Sequence, residues 1–103
     1  MKSVSMALAL ALICAPAFAD ARKGARLAQE KCGACHATGL KGTSPDLKAP
    51  TFRRIANQWP PEQLQEALAE GIVTGHNAMP EFTFSPRQID DLLDHLTRLR
   101  KSR

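Results

Sequence analysis

Cys32, Cys35 and His36 stand in the order Cys32-Gly33-Ala34-Cys35-His36. Two thiols at this spacing, followed directly by an imidazole, form the pattern by which a c-type haem is attached. Each thiol bonds one vinyl group of the porphyrin, and the adjacent histidine reaches the iron. An iron held in this way needs a donor on its other face. Met79 supplies a soft, neutral sulfur in the segment Gly75-His76-Asn77-Ala78-Met79-Pro80-Glu81-Phe82. Pro80 lacks an N–H and has a fixed φ, so it stiffens the backbone beside that sulfur. A thioether favours ferrous over ferric iron, so a His36/Met79 pair raises the reduction potential. His76 competes for the same place and would give bis-histidine ligation at a lower potential. With both axial positions filled by the chain, the iron exchanges an electron and offers no open site to a substrate.

The same spacing serves two other chemistries. Cys32-Gly33-Ala34-Cys35 also fits a thiol redox pair of the thioredoxin kind, but that chemistry belongs to a βαβ pattern, which the chain lacks. Structural zinc would use Cys32, Cys35, His36 and His76, and its closing ligands are poorly spaced.

The start of the chain says where the chemistry takes place. Lys2 is followed by an almost wholly apolar run from Val4 to Ala15, and Ala17-Phe18-Ala19 places small residues where a signal peptidase reads. The run is shorter than the roughly 20 residues that span a bilayer. Residues 1–19 are therefore expected to be a cleaved secretory segment, and residues 20–103 one domain exported in soluble form to the periplasm. Cys14 leaves with the segment, because Ile13 occupies the position where lipoprotein processing needs a small residue. The remaining cysteines are then Cys32 and Cys35, and the remaining methionine is Met79. An oxidising compartment would pair two such thiols unless they were bonded elsewhere.

A domain this small has little core of its own and needs a staple or a cofactor. Beyond residue 19 it holds no tyrosine, one tryptophan and three phenylalanines, so a buried porphyrin would supply apolar surface that the side chains do not. The elements that position it read as helices. The first runs from about Ala21 to Lys31, with Ala21, Gly24, Ala25 and Ala28 at helical spacing. A Gly-, Ser-, Thr-, Pro- and Lys-rich loop covers residues 37–50, and a short helix follows near Phe52 to Asn57. After Pro60-Pro61 another helix carries Leu64, Ala67 and Leu68 on one face and ends at Gly71. A second loop takes residues 72–84. Ser85, Pro86 and Gln88 form an N-cap, a first-turn proline and a capping box. Ile89, Leu92, Leu93, Leu96 and Leu99 then trace one apolar stripe along the last helix. Beside it, His95 reads as a solvated residue.

The chain resembles the class I monohaem cytochromes c over nearly all of residues 20–103. The resemblance rests on Gly24, the Cys32–His36 motif, Ala49-Pro50-Thr51-Phe52, Met79-Pro80 and the closing helix. It implies an all-α cytochrome c fold of three to five short helices and loops around one covalently attached haem c. It also implies a right-angled crossing of the first and last helices at Gly24, facing Leu93 or Leu96. A proline carbonyl would hold the ring of His36; Pro50 matches by context and Pro45 is the second choice. Trp59 is either a donor to a haem propionate or a half-buried core residue. Arg53 and Arg54 either pair with propionates or lie on a solvated helix face.

The net charge of +4 falls to about +3 once Lys2 is removed. Basic residues gather at Arg22, Lys23 and Arg26 and at positions 98–103. They serve either docking to an acidic partner or plain solubility. Export and the lack of interleaved aromatics exclude nucleic-acid binding. The expected function is single-electron transfer between larger redox proteins by a monomeric carrier that is not an enzyme. The alternatives are a dedicated subunit of a periplasmic dehydrogenase or oxidase complex, and a gas- or peroxide-binding haem protein with an open or labile sixth site.

Overall fold

The computed structural model describes residues 19–71, 79–80 and 82–101. The proposed leader, His76 and most of the second loop lie outside them. The described residues form four helices and no strand: α1 (Ala21–Cys32), α2 (Phe52–Gln58), α3 (Pro61–Glu70) and α4 (Pro86–Lys101). The all-α expectation holds, with boundaries within a residue or so of those read from the sequence.

Each helix begins where local chemistry satisfies its first amides. Asp20 caps α1, its carboxylate accepting from the N–H groups of Arg22 and Lys23 at 2.9 and 3.4 Å. Thr51 caps α2 by accepting from Arg54 N–H at 3.2 Å. Pro60 and Pro61 open α3, which stops at Gly71, where φ is 82° and a side chain would be strained. The capping box of α4 is reciprocal: Gln88 N–H donates to Ser85 Oγ at 3.1 Å, and Ser85 N–H to Gln88 Oε1 at 2.9 Å.

α1, α2 and α3 each pack on α4. Ile89, Leu92, Leu96 and Leu99 of α4 are buried, and with Ala28, Phe52, Ala56, Leu68 and Phe84 they make the core. Leu93, Leu64 and Ile55 pack against its margin. Ala67, expected on the buried face of α3, is exposed; of this helix only Leu68 is buried.

The α1–α4 crossing differs from the expected pairing. Gly24 faces Asp91 and His95, not Leu93 or Leu96. A Cβ built on Gly24 would overlap the Asp91 main-chain carbonyl and stand 3.1 Å from His95 Cβ. His95 is buried, at 8% exposure, rather than solvated. Its burial is balanced by a hydrogen bond from Nε2–H to the Thr38 carbonyl at 2.6 Å.

Candidate functional site

The last turn of α1 delivers the cysteine motif. Cys32 closes the helix, and its carbonyl accepts from Cys35 N–H at 3.2 Å and His36 N–H at 2.9 Å. This winds the five residues into one tight turn. Cys32 and Cys35 are both free thiols and half-buried. Desolvation by burial pushes the Cys32 thiol up from its ordinary range.

His36 leaves this turn towards the segment before α2. Its Nδ1 lies 2.6 Å from the Pro50 carbonyl oxygen. A carbonyl only accepts, so Nδ1 carries the proton and the ring's lone pair sits on Nε2. Phe52 holds the ring from the side, edge-on at 5.4 Å between centroids and 61° between planes. The imidazole is thus fixed in tautomer and orientation by two residues at the start of α2. Pro45, the second choice for this bond, is exposed.

The loop 37–50 between motif and α2 has few apolar anchors and is held by polar ones. Ser44 is buried and its Oγ accepts from Ala37 N–H at 3.1 Å. Asp46 N–H donates to the Cys35 carbonyl at 3.1 Å, and Phe52 N–H to the Ala37 carbonyl at 2.9 Å. Thr38 Oγ1 donates to Gln29 Oε1 of α1 at 2.9 Å, while the Thr38 carbonyl takes the His95 bond from α4. Arg53 spans the loop from outside, donating to the carbonyls of Leu40 and Gly42. Its guanidinium braces backbone. Arg54 lies exposed.

Met79 sits at a bend, partly buried, with Pro80 exposed beside it. Trp59 ends α2 at 38% exposure and lines a shallow crevice with Ala56, Leu64 and Leu93. Among the described residues no group of three or more His, Cys, Asp or Glu is gathered to hold a metal ion by itself, and no helix is long and apolar enough to cross a membrane.

A family model described as cytochrome c oxidase, cbb3-type, subunit III matches residues 19–96. The chain belongs to this c-type cytochrome family. It is also 38% identical over 72 residues to cytochrome c6 of Picosynechococcus sp., a match covering 65% of this chain and 62% of that relative. The chain therefore spans less than two thirds of that relative's length. No solved structure matches. Membership makes the cofactor a covalently bound haem c with its iron.

The side chains present fit that group. Two free thiols flank one turn, an imidazole beside them keeps its Nε2 lone pair, and a thioether lies in a separate segment. The zinc alternative lacks a gathered ligand set among the described residues, and the thiol-redox alternative lacks a strand there. Sequence reasoning missed Thr38, Ser44 and His95. His95 stands four residues after Asp91 and four before Leu99, on the α4 face that meets α1, but that position does not reveal its partner, the Thr38 carbonyl.

Proposed function

We propose that the chain is a periplasmic single-electron carrier with a low-spin haem iron held between His36 and Met79. The observation that carries this reading is His36 Nδ1–H donating to the Pro50 carbonyl at the end of the Cys32–His36 turn. That bond leaves Nε2 as the only ring donor, and it raises the basicity of that nitrogen. Cys32 and Cys35 would hold the porphyrin through thioethers, and the haem supplies a one-electron ferric/ferrous couple when bound. Phe52 and Pro50 keep the imidazole from swinging, so ligand geometry changes little between oxidation states. The Met79 sulfur shifts the couple towards ferrous iron, and Trp59 is suited to donate to a propionate. The small Gly33 and Ala34 leave the thioether edge open to a docked partner. Removal of residues 1–19 on export would free the domain as a monomer, without an enzymatic activity of its own.

Absorption spectra of periplasmically expressed protein, oxidised and then reduced, test the reading. A sharp reduced α-band with a weak far-red sulfur-to-iron band in the oxidised form is expected. A reduced band without the far-red one keeps the haem and removes Met79; no haem spectrum under working maturation sinks the proposal. The family description favours a second reading, a dedicated subunit of an oxidase complex. Co-purification with larger redox subunits at micromolar dilution would support it, since free carriers use small, short-lived interfaces.

A further inference from the structure

We propose that Asp91 is the receptor for the α-ammonium group that removal of residues 1–19 would create at Asp20. The proposal rests on the export reading above. The backbone nitrogen of Asp20 lies 2.8 Å from Asp91 Oδ1, a contact between residues 71 apart in sequence. In the uncleaved chain this is a neutral amide donating to a carboxylate. Cleavage after Ala19 leaves the nitrogen in place and gives it a positive charge. The contact then becomes a charge-assisted bond between ions.

Three observations fit a built receptor. Asp91 is only 6% exposed, and a carboxylate so buried needs a charged partner. Its other cation is a poor one, for Arg87 Nε stands 4.0 Å away on a half-exposed side chain. Ala19 is exposed, so the peptide to be cut projects from the surface while the nitrogen it leaves points inward.

The geometry around the nitrogen explains why the charge is tolerable there. A positive group at a helix N-terminus opposes the helix dipole. Here two carboxylates offset it: Asp20 itself, turned onto the Arg22 and Lys23 amides, and Asp91 from α4. Ala21 is buried next to this point, and Gly24 lets the two backbones meet one turn later. The first residue of the processed chain therefore completes the α1–α4 crossing, and the precursor holds it less firmly.

The test uses holoprotein matured in the periplasm, with and without one extra alanine inserted between Ala19 and Asp20. The insertion restores a neutral amide at Asp20 and moves the ammonium about 3.8 Å along the chain. Intact mass is expected to show a natural chain beginning at Asp20. The extended chain should unfold a few degrees lower, and that difference should vanish when both forms carry Asp91→Asn. An unchanged midpoint, or an equal loss in the Asp91→Asn pair, overturns the receptor and leaves the processing site standing. A natural chain that begins elsewhere overturns the proposal at its basis, while the haem spectrum still reports on the carrier reading. A second readout needs no Asp91 variant. The α-amine of the natural chain should be acylated several-fold more slowly than that of the extended one, and equal rates overturn the proposal.

Discussion

At the scale of single residues, orientation of the His36 imidazole and bracing of the loop behind it are separate tasks. Pro50 and Phe52 fix His36, whereas Arg53 fixes the loop through the Leu40 and Gly42 carbonyls. Arg53→Lys keeps the charge and loses the planar fork that reaches two carbonyls at once. It should cost about 1 kcal/mol, the net worth of a partly exposed hydrogen bond. Hydrogen exchange should quicken at amides of residues 40–46 and stay unchanged in α4; protection retained in the loop would show that Ser44 and Thr38 carry it alone. On the proposed His36/Met79 ligation, Met79→Ala would remove the soft sulfur and open an axial position. The reduction potential should fall and the reduced protein should take up carbon monoxide rapidly. An unchanged potential would move the ligand to His76 or elsewhere.

Among the elements, the α1–α4 crossing has the least tolerance. Alanine in a helix interior is favoured over glycine by about 1 kcal/mol, so Gly24→Ala looks stabilising from α1 alone. The built Cβ overlaps the Asp91 carbonyl, however, and backbone cannot turn aside as a side chain can. Separating the helices costs roughly 1–3 kcal/mol in overpacking and shifted contacts, so the variant should be destabilised on balance in urea unfolding. The cap of α1 also sets an acid limit. Bonds from the Arg22 and then the Lys23 amide hold the Asp20 carboxyl below its usual range. Its contribution is complete above the unfolded value of about 3.9, and is lost as pH falls through the lower folded value. Asp20→Asn keeps the cap without titrating. Between pH 5 and 2 the parent should lose more stability than this variant; parallel curves would remove the cap from the acid response. These elements differ in how far the sequence displays them. Ser85, Pro86 and Gln88 announce α4 because capping is local chemistry within one turn. The cysteine motif is legible because attachment fixes its spacing, whereas Pro50 follows only from the family resemblance, with Pro45 as the other choice. His95 is not legible, since its partner, the Thr38 carbonyl, lies 57 residues away and only the crossing at Gly24 brings them together. Arg53 escapes for the same reason: its acceptors are backbone atoms, which no side-chain pattern marks.

For the molecule as a whole, the question is what sustains a fold with so small a core. The buried hydrophobic residues are chiefly alanines and leucines, with Phe52 and Phe84 as the aromatics, and no large described side chain is fully enclosed. Burial of a leucine is worth about 1.5–3 kcal/mol, while ordering each residue costs about 1–2 kcal/mol in backbone freedom alone. Among the described residues such side chains are few for four helices and a long polar loop. The loop contributes little apolar burial: Leu40 and Leu47 are 55% and 88% exposed. The family's haem c would add apolar surface that the described side chains do not, and thioethers at Cys32 and Cys35 would prevent its loss on dilution. The double variant Cys32→Ala, Cys35→Ala should therefore forfeit more than a redox centre. Expressed in the same compartment without covalent haem, it should retain part of its helical circular dichroism, because α4 carries its own caps. It should lose the cooperative thermal transition that the holoprotein shows, as expected when specific packing goes and local structure stays. A sharp transition in the haem-free chain would mean that the helices pack sufficiently by themselves, and that the haem is a passenger on a completed fold.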